Sequence, residues 1–284
     1  MLNAEQRRSW EHDGYAVLPE FKSRDEVAIA CRRAAELVEA FDASDPSGAS
    51  VFSTRDRALV ADAALLASAH AVHCFFEEEA FGADGRLQVP RHESINKIGH
   101  ALHELDPVFD TFSHGLALAA LAAELGLLRP LVWQSQLIFK QPRIGGEVGW
   151  HQDGSFFATT PQSVTTFWFA LEDATLDNGC LWVQPGGQHS PLREAYVRSA
   201  DAPMRLHMQA LDASAWPALV QARPLPVRAG TLVVFGGQLP HRSAANRSAR
   251  SRLAYTLHAT DGNATYSPLN WLQRGSGVAP RGFV

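Results

Sequence analysis

Residues 149–155 read Gly-Trp-His-Gln-Asp-Gly-Ser, and the rest of the chain is organised around the His-x-Asp in this stretch. Side chains two positions apart in an extended strand point to the same face of that strand. His151 and Asp153 can therefore present an imidazole nitrogen and a carboxylate oxygen to one point. The same pair is also typical of a hydrogen-bonded turn, so residues elsewhere in the chain must decide between a metal site and a structural pair.

The composition is that of a globular protein. The 284 residues are 46% hydrophobic and 19% charged, with a formal net charge of −5. This balance provides no overall basic field, so we expect neither nucleic acid nor a membrane as a partner. We also expect no signal peptide and no membrane span, because no apolar run approaches about 18 residues.

The cysteines have no paired spacing. Cys31, Cys74 and Cys180 are odd in number and widely separated, which favours neither a disulfide framework nor a zinc site. We interpret them as buried free thiols of a cytoplasmic protein, because thiols stay reduced in that compartment.

The first 130 residues are predicted to be rich in helix. Ser23 and Glu26 have the spacing of a capping box, and apolar residues recur at helical spacing from there to residue 41. The predicted elements of this part are a short helix from residue 4, a strand at 15–18, and helices at 23–41, 56–81 and 107–126.

After Pro130 the pattern changes to strands separated by glycine-rich turns. The predicted strands are 132–141, 165–171, 180–184, 228–235 and 252–260. Strands that follow a run of helices favour an α+β fold with helices packed outside a β core. No repeat or composition break marks a linker. We therefore predict one domain over 1–284, with a helix-rich part (1–130), a β core (131–262) and a tail (263–284).

A third candidate ligand is His241, which follows the strand-like residues 231–235 across a short loop. Loops beside rigid strands commonly carry binding residues. With His151 and Asp153 it would complete a 2-His-1-carboxylate set, which leaves coordination positions open on a non-haem Fe(II). These three residues are therefore candidate metal ligands of a catalytic centre, and the structural interpretation of the His-x-Asp pair stays open at this point.

Arg252 begins the last predicted strand, eleven residues after His241. A guanidinium beside a metal suits bidentate capture of a carboxylate. Arg247 and Arg250 precede it, so an ordinary salt-bridged arginine is the alternative interpretation.

With these residues the chain resembles the Fe(II)/2-oxoglutarate oxygenases of the phytanoyl-CoA dioxygenase family, and in particular its domain-containing branch. The resemblance extends from about residue 13 to residue 273. Besides the ligands and Arg252, it is carried by the following stretches: Lys140-Gln141-Pro142, 145–148 (GGEV), 171–182 (LEDATLDNGCLW), 185–186 (PG), 96–103 (NKIGHALH) and 266–273 (YSPLNWLQ).

The resemblance implies a cupin-like double-stranded β-helix, or jelly roll, with the N-terminal helices packed on one side. It implies that His151, Asp153 and His241 bind Fe(II), and that Arg252 binds the distal carboxylate of 2-oxoglutarate. The other residues whose positions imply contact with 2-oxoglutarate are Lys97, Ser243, Trp168, Gln136 and Gln152.

The implied activity is hydroxylation of an unactivated C–H bond in a small or medium organic substrate, with O₂ consumed and succinate and CO₂ released. Asp153 favours hydroxylation, because halogenating relatives usually carry a small residue there. Gln136 occupies a place where several members carry Met, so we expect a more polar pocket and do not transfer a substrate from a relative. A CoA thioester would require a basic groove, which the charge balance does not favour.

Two other functions stay open at this point. One is a jelly-roll protein that binds metal and 2-oxoglutarate without turnover, and the other is a cupin-like lyase or isomerase. The oligomeric state, monomer or dimer, is also open.

Residues near the predicted site have structural interpretations as well. His258 lies on the last predicted core strand, and we interpret it as a hydrogen-bonded core histidine. Phe156 and Phe157 directly follow the His-x-Asp stretch, so they either line the substrate side or pack in the core.

Overall fold

The structure is a computed structural model that describes residues 1–41, 50–52, 62–202, 204–275 and 278–284. All the α-helices in these ranges precede residue 125. They are α1 (Ala4–Asp13), α2 (Arg24–Ala40), α3 (Asp62–Ser68), α4 (Leu102–Leu105), α5 (Pro107–Ser113) and α6 (Leu116–Glu124). None of these helices is both long enough and apolar enough to cross a bilayer.

Short strands make up most of the remaining regular structure. In chain order they are β1 (Tyr15–Leu18), β2 (Ser50–Phe52), β3 (Val72–Glu77), β4 (Ile95–His100), β5 (Pro130–Lys140), β6 (Val148–His151), β7 (Thr159–Thr160), β8 (Thr165–Ala170), β9 (Leu181–Val183), β10 (Glu194–Arg198), β11 (Leu206–Ala210), β12 (Arg223–Leu225), β13 (Leu232–Gly236), β14 (His241–Ser243), β15 (Arg252–Asp261) and β16 (Thr265–Tyr266).

Two sheets form the core of the fold. The large sheet has the order β1-β13-β8-β15-β5-β4-β3-β2, and the small sheet has the order β12-β9-β14-β6. The pairing is antiparallel throughout these sheets except between β2 and β3. This jelly-roll core with flanking helices confirms the predicted fold class.

The two faces of the large sheet pack against different parts of the molecule. On β8 and β15, alternate residues such as Phe167, Phe169 and Tyr255 join the core cluster that also contains the buried side of α2. Phe109 of α5 stacks on Tyr255 with ring centroids 4.8 Å apart. Because side chains alternate along a strand, the residues between them face the small sheet. That second face contributes to the functional site.

The start of α2 follows the predicted capping box. The Ser23 hydroxyl accepts a hydrogen bond from the Glu26 amide at 3.2 Å, and the Glu26 carboxylate accepts one from the Ser23 amide at 2.9 Å. The predicted apolar stripe is buried at four positions, Val27, Ala30, Ala34 and Val38. These two local signals place the helix against the large sheet.

The prediction for 56–81 is wrong over its second half. Residues 62–68 form α3, but 72–77 form the strand β3, and residues 56–61 lie outside the described ranges. The sequence around Phe75 and Phe76 is a short apolar run, in which a buried strand and a buried helix cannot be told apart by periodicity. With β1, β2 and β4, this strand extends the large sheet beyond the predicted core of 131–262.

The predicted helix over 107–126 is interrupted. Asp106 caps α5 by accepting hydrogen bonds from the amides of Val108 and Phe109, and the helix ends at Ser113. Gly115, with φ of 137°, precedes α6. That backbone conformation is outside the helical region and is readily adopted only by glycine.

The last residues described are tied into the fold. Trp271 packs edge-on against His100 with ring centroids 5.1 Å apart. The Arg274 guanidinium donates to the carbonyls of Trp133 and His100. Phe283 is fully buried, and its carbonyl accepts from the Gly115 amide at 2.7 Å.

The cysteines are free thiols. Cys74 and Cys180 are buried as predicted, whereas Cys31 is only partly buried. Burial raises the pKa of Cys31 to about 11 and that of Cys74 to about 12, so both are protonated at neutral pH.

Candidate active site

The three predicted ligands meet at the edge of the small sheet. β14 pairs with β6 so that His241 lies opposite His151, with ring centroids 4.0 Å apart. Gln152 is extended, with φ of −126° and ψ of 128°, which brings Asp153 back to the same side. Asp153 Oδ1 lies 3.6 Å from His151 Nε2 and 3.7 Å from His241 Nε2. One ligand atom from each residue lies within 4.8 Å of the others, so the three could hold a metal ion.

Backbone carbonyls orient both histidine rings. His151 Nδ1 is 2.9 Å from the carbonyl oxygen of Gly149, and His241 Nδ1 is 3.1 Å from that of Leu239. A carbonyl oxygen only accepts hydrogen bonds, so Nδ1 carries the hydrogen and Nε2 keeps its lone pair. A histidine that binds metal through one nitrogen usually donates from the other in this way.

Asp153 is held in its ionised form. Burial by itself would raise the pKa of Asp153, but protonated His241, His258 and His151 beside it hold the pKa well below its ordinary value, and a cation bound between the neutral rings would act in the same direction. The carboxylate is only 6% exposed. A deprotonated carboxylate between two imidazole lone pairs fits a divalent cation.

A cavity of about 210 Å³ opens beside the ligands, between the two sheets. The large sheet contributes a polar wall that includes Lys97, Gln136, Trp168 and Arg252. Other lining residues are apolar or aromatic, namely Phe156, Phe157, Tyr196, Met208 and Trp271. Both phenylalanines after the His-x-Asp stretch therefore line the cavity.

Arg252 is a buried cation with unused donors. Its side chain is 2% exposed, and in the described part of the chain Nε and Nη1 have no hydrogen-bond partner. Burial lowers the pKa of Arg252 to about 10, so the guanidinium is charged at neutral pH. A buried charge is costly unless it is paired. This arrangement fits a ligand that brings a carboxylate into the cavity.

Comparison with protein families matches residues 10–254 to the model described as phytanoyl-CoA dioxygenase (PhyH). The chain belongs to the phytanoyl-CoA dioxygenase family. The match includes the three candidate metal ligands and Arg252, so the family assignment and the site geometry concern the same residues.

Relatives in this family resemble the chain over nearly its whole length. Phytanoyl-CoA dioxygenase 1 of Oryza sativa subsp. japonica is 45% identical, covering 96% of this chain and 94% of its own. Phytanoyl-CoA dioxygenase domain-containing protein 1 of Bos taurus is 41% identical, covering 96% of this chain and 95% of its own. The resemblance predicted from the sequence is thus confirmed, including its domain-containing branch.

A solved structure with a similar fold is the epimerase SnoN in complex with Fe3+, alpha ketoglutarate and nogalamycin RO. It superimposes with a TM-score of 0.65 over 97% of this chain and 90% of that chain. The sequence identity is 17%, so the likeness shows the shared fold and nothing more about this chain.

The structure brings four of the residues implied by the family resemblance to the cavity wall: Lys97, Gln136, Trp168 and Ser243. The Arg252 guanidinium carbon lies 5.7 Å from the Trp168 ring centroid. Burial lowers the pKa of Lys97 to about 7, although the nearby Glu77 carboxylate acts against this shift. Lys97 is thus a cation whose charge at neutral pH depends on what binds beside it.

Gln152 is the exception among the residues predicted to contact 2-oxoglutarate. It is fully buried and does not line the cavity. Its Nε2 donates to the carbonyl of Gln238 at 2.7 Å, and its Oε1 accepts from the Arg193 amide at 3.0 Å. Because His151 and Asp153 point into the cavity, alternation turns the residue between them away. The structure thus gives the predicted contact no support, because the Gln152 amide holds two loops together.

His258 also lies at the site, although its sequence position was interpreted as structural. This residue lines the cavity, and its Nε2 lies 3.3 Å from Asp153 Oδ2. The signal was available, because His258 is six residues after Arg252 on the same strand and alternation puts both on one face. Side-chain alternation along β15 from Arg252 is enough to predict that His258 faces the same cavity.

Proposed function

We propose that the protein is an Fe(II)- and 2-oxoglutarate-dependent oxygenase that hydroxylates an unactivated C–H bond of a small or medium organic molecule, releasing succinate and CO₂. The observation that carries the proposal is Arg252. Two of its guanidinium nitrogens have no hydrogen-bond partner among the described residues, and Arg252 lines the same cavity as His151, Asp153 and His241. A metal site beside an unpaired buried cation suits a co-substrate that both chelates metal and carries a further carboxylate.

The donor set fits the two groups that the family implies. His151 Nε2, His241 Nε2 and Asp153 Oδ1 would hold the iron, and nitrogen and carboxylate ligands of this kind suit Fe(II). Arg252 and the Ser243 hydroxyl would bind the distal carboxylate of 2-oxoglutarate. The bound iron and 2-oxoglutarate supply the oxidising chemistry that consumes O₂.

The remaining wall residues position the reactants and exclude water. Lys97 would add positive charge near 2-oxoglutarate, and Trp168 lies beside the Arg252 guanidinium. Phe156, Tyr196 and Met208 form an apolar side that keeps water away from the substrate carbon. A water-poor site strengthens the charge interactions within it. Hydroxylation in particular is supported by Asp153, a carboxylate at the position where halogenating relatives carry a small residue.

We further propose that residues 1–284 act as one oxygenase domain. The support is that β1, β2, β3 and β4 belong to the same large sheet as β5, β8, β13 and β15. A single cooperative unfolding transition, followed by far-ultraviolet circular dichroism and by tryptophan fluorescence, is the expected result. Two separated transitions would contradict it.

The test of the function begins without oxygen. We expect Fe(II) and 2-oxoglutarate together to produce a visible charge-transfer band with the wild-type protein under anaerobic conditions. Arg252→Ala should need on the order of 100-fold more 2-oxoglutarate to reach the same band, because a charge-assisted bidentate contact is lost. Arg250→Ala is the matched control, since Arg250 is exposed and two positions away, and its titration should equal the wild type.

The second stage admits O₂ and screens acyl-CoAs, free acids, amino acids and secondary metabolites for substrate-stimulated succinate release. The expected product carries one added oxygen atom. Failure of the wild-type protein to bind 2-oxoglutarate would favour a jelly-roll binding protein without oxygenase turnover. Product formation without O₂ consumption would favour a lyase or isomerase.

A further inference from the structure

The two carboxylate oxygens of Asp153 have different surroundings. Oδ1 faces the Nε2 atoms of both ligand histidines, at 3.6 and 3.7 Å. Oδ2 faces the large sheet, where it accepts a hydrogen bond from Thr166 Oγ1 at 2.6 Å and lies 3.3 Å from His258 Nε2. One oxygen therefore points to the metal position and the other is held by the protein.

The groups that hold Oδ2 lie in a row across three adjacent strands. In the register of the large sheet, His258 of β15 is opposite Gln134 of β5 on one side and Thr166 of β8 on the other. All three side chains are nearly fully buried and line the cavity. The row reaches Asp153 from the sheet opposite the one that carries the ligands.

The contacts of His258 define where its proton lies. Its Nδ1 is 3.3 Å from Gln134 Nε2, which is a donor, so Nδ1 accepts. Its Nε2 faces a carboxylate oxygen, which only accepts, so Nε2 donates. Phe157 stacks on the ring, with centroids 5.0 Å apart and an interplanar angle of 24°, and fixes its orientation. His258 thus directs an N–H at Asp153, whereas His151 and His241 direct their Nε2 lone pairs at it.

We propose that His258 is a positioning residue: with Thr166 it holds Oδ2 of Asp153, so that the carboxylate binds the metal through Oδ1 alone. A carboxylate that turned to bind through both oxygens would occupy one of the positions that O₂ and a chelating co-substrate require. The proposal rests on the proposed metal site and assigns a role to a residue outside the proposed ligand set. Outer hydrogen-bond partners of metal ligands are typically worth about 10–100-fold in metal affinity or activity.

Gln134 connects this row to the open part of the cavity. Its Nε2 supports His258, while its Oε1 is buried and has no hydrogen-bond partner among the residues that the structure describes. Of the two ends of the Gln134 amide, Nε2 is the one that contacts His258 and helps to orient its ring.

Two substitutions of His258 separate the contribution of its N–H donor from that of its aromatic ring. His258→Phe keeps an aromatic ring against Phe157 but removes the hydrogen to Oδ2, while His258→Gln removes the ring and keeps an N–H at a similar reach. We expect His258→Phe to weaken Mn(II) and Co(II) binding by about 10–100-fold. We expect His258→Gln to stay near the wild type. Equal losses in both variants would mean a packing role, and no loss in either would also overturn the proposal.

Thr166→Val provides a second test on the same oxygen in a nearly isosteric form. Thr165→Val is its matched control, because Thr165 is the adjacent residue of β8 and does not line the cavity. The visible absorbance of bound Co(II) should weaken in Thr166→Val and His258→Phe as the carboxylate adds its second oxygen, and should be unchanged in Thr165→Val. A spectrum that is the same in all variants would contradict the inference.

Metal binding by the wild-type protein separates the two proposals. If the wild type binds neither Mn(II) nor Co(II), the proposed function fails. If the wild type binds both ions and the His258 and Thr166 variants bind them equally well, only the role of His258 fails. These measurements need no substrate and no turnover.

Discussion

The two sheets contribute to the site in different ways. The small sheet supplies two candidate metal ligands from short strand ends, where His151 and His241 lie opposite each other and nearby carbonyls orient their rings, and Asp153 follows directly after β6. The large sheet supplies Arg252, Lys97 and the row at His258 from one face of long strands whose other face packs against helices. His151 and Asp153 thus come from one short backbone segment and His241 joins them through the register of β14 against β6, whereas the cavity wall depends throughout on register between strands of the large sheet.

The largest effect is expected from the small-sheet side. Asp153→Ala removes the charged member of the ligand set, so succinate formation should fall by a factor on the order of 10³ or more, beyond what loss of an outer contact causes. Asp177→Ala, in an exposed turn, is the control and should behave as the wild type. Full turnover in Asp153→Ala would contradict the different roles given to the two sheets, in which the small-sheet side holds the metal and the large sheet forms the cavity wall.

A graded effect is expected from Lys97 on the large sheet. In the ligand-free protein burial lowers its pKa to about 7, against the opposing effect of Glu77, so its charge is lost as the pH rises through 7. The KM for 2-oxoglutarate should therefore increase above pH 7, with a slope approaching about tenfold per pH unit. The measurement is the KM of wild type and Lys97→Met between pH 6 and 9, and the variant should have a high KM without this slope.

The same residue affects stability with a definite sign. The unfolded chain keeps Lys97 protonated up to its ordinary value of 10.5, while the folded protein releases that proton near 7. Between these values the unfolded state binds more protons, so this group makes the folded state more stable as the pH rises.

For the KM measurement, a slope in the KM for 2-oxoglutarate of Lys97→Met equal to that of the wild type would assign the pH dependence to another group.

The smallest effect on the site is expected from Gln152, although it stands between two ligands in sequence. Gln152→Leu leaves the Arg193 amide and the Gln238 carbonyl without their partner, so the free energy of unfolding should fall by about 1–3 kcal/mol. The KM for 2-oxoglutarate should be unchanged, because the side chain points away from the cavity. Urea unfolding and steady-state kinetics measure the two quantities. A raised KM for 2-oxoglutarate with an unchanged free energy of unfolding would contradict this prediction. It would mean that Gln152 affects 2-oxoglutarate binding although its side chain points away from the cavity.

Local signals made part of this molecule predictable. The capping box at Ser23, the stripe on α2 and the ligands His151, Asp153 and His241 follow from spacing within one element or from a family motif. The contacts of Lys97, Trp168, Gln136 and Ser243 with 2-oxoglutarate stay predictions, although all four line the cavity.

The parts that were not predicted depend on tertiary information. β3 is a short apolar run without a period, and only its place beside β4 identifies it as a strand. The row at His258 exists because three strands are in one register, and no stretch of sequence contains that register. Gln152 is different, since alternation alone predicts its direction.

The burial of Trp271 and Phe283, with the hydrogen bonds of the partly buried Arg274, has a consequence for how the protein is made. Trp271 lines the cavity, and Arg274 and Phe283 fasten the segment around it to His100, Trp133 and Gly115. A growing chain on the ribosome acquires His151, Asp153, His241 and Arg252 before this wall has been translated. The candidate ligands and the wall that covers them are therefore synthesised at different times, and the nascent protein can enclose a substrate only after residues 271–283 have emerged.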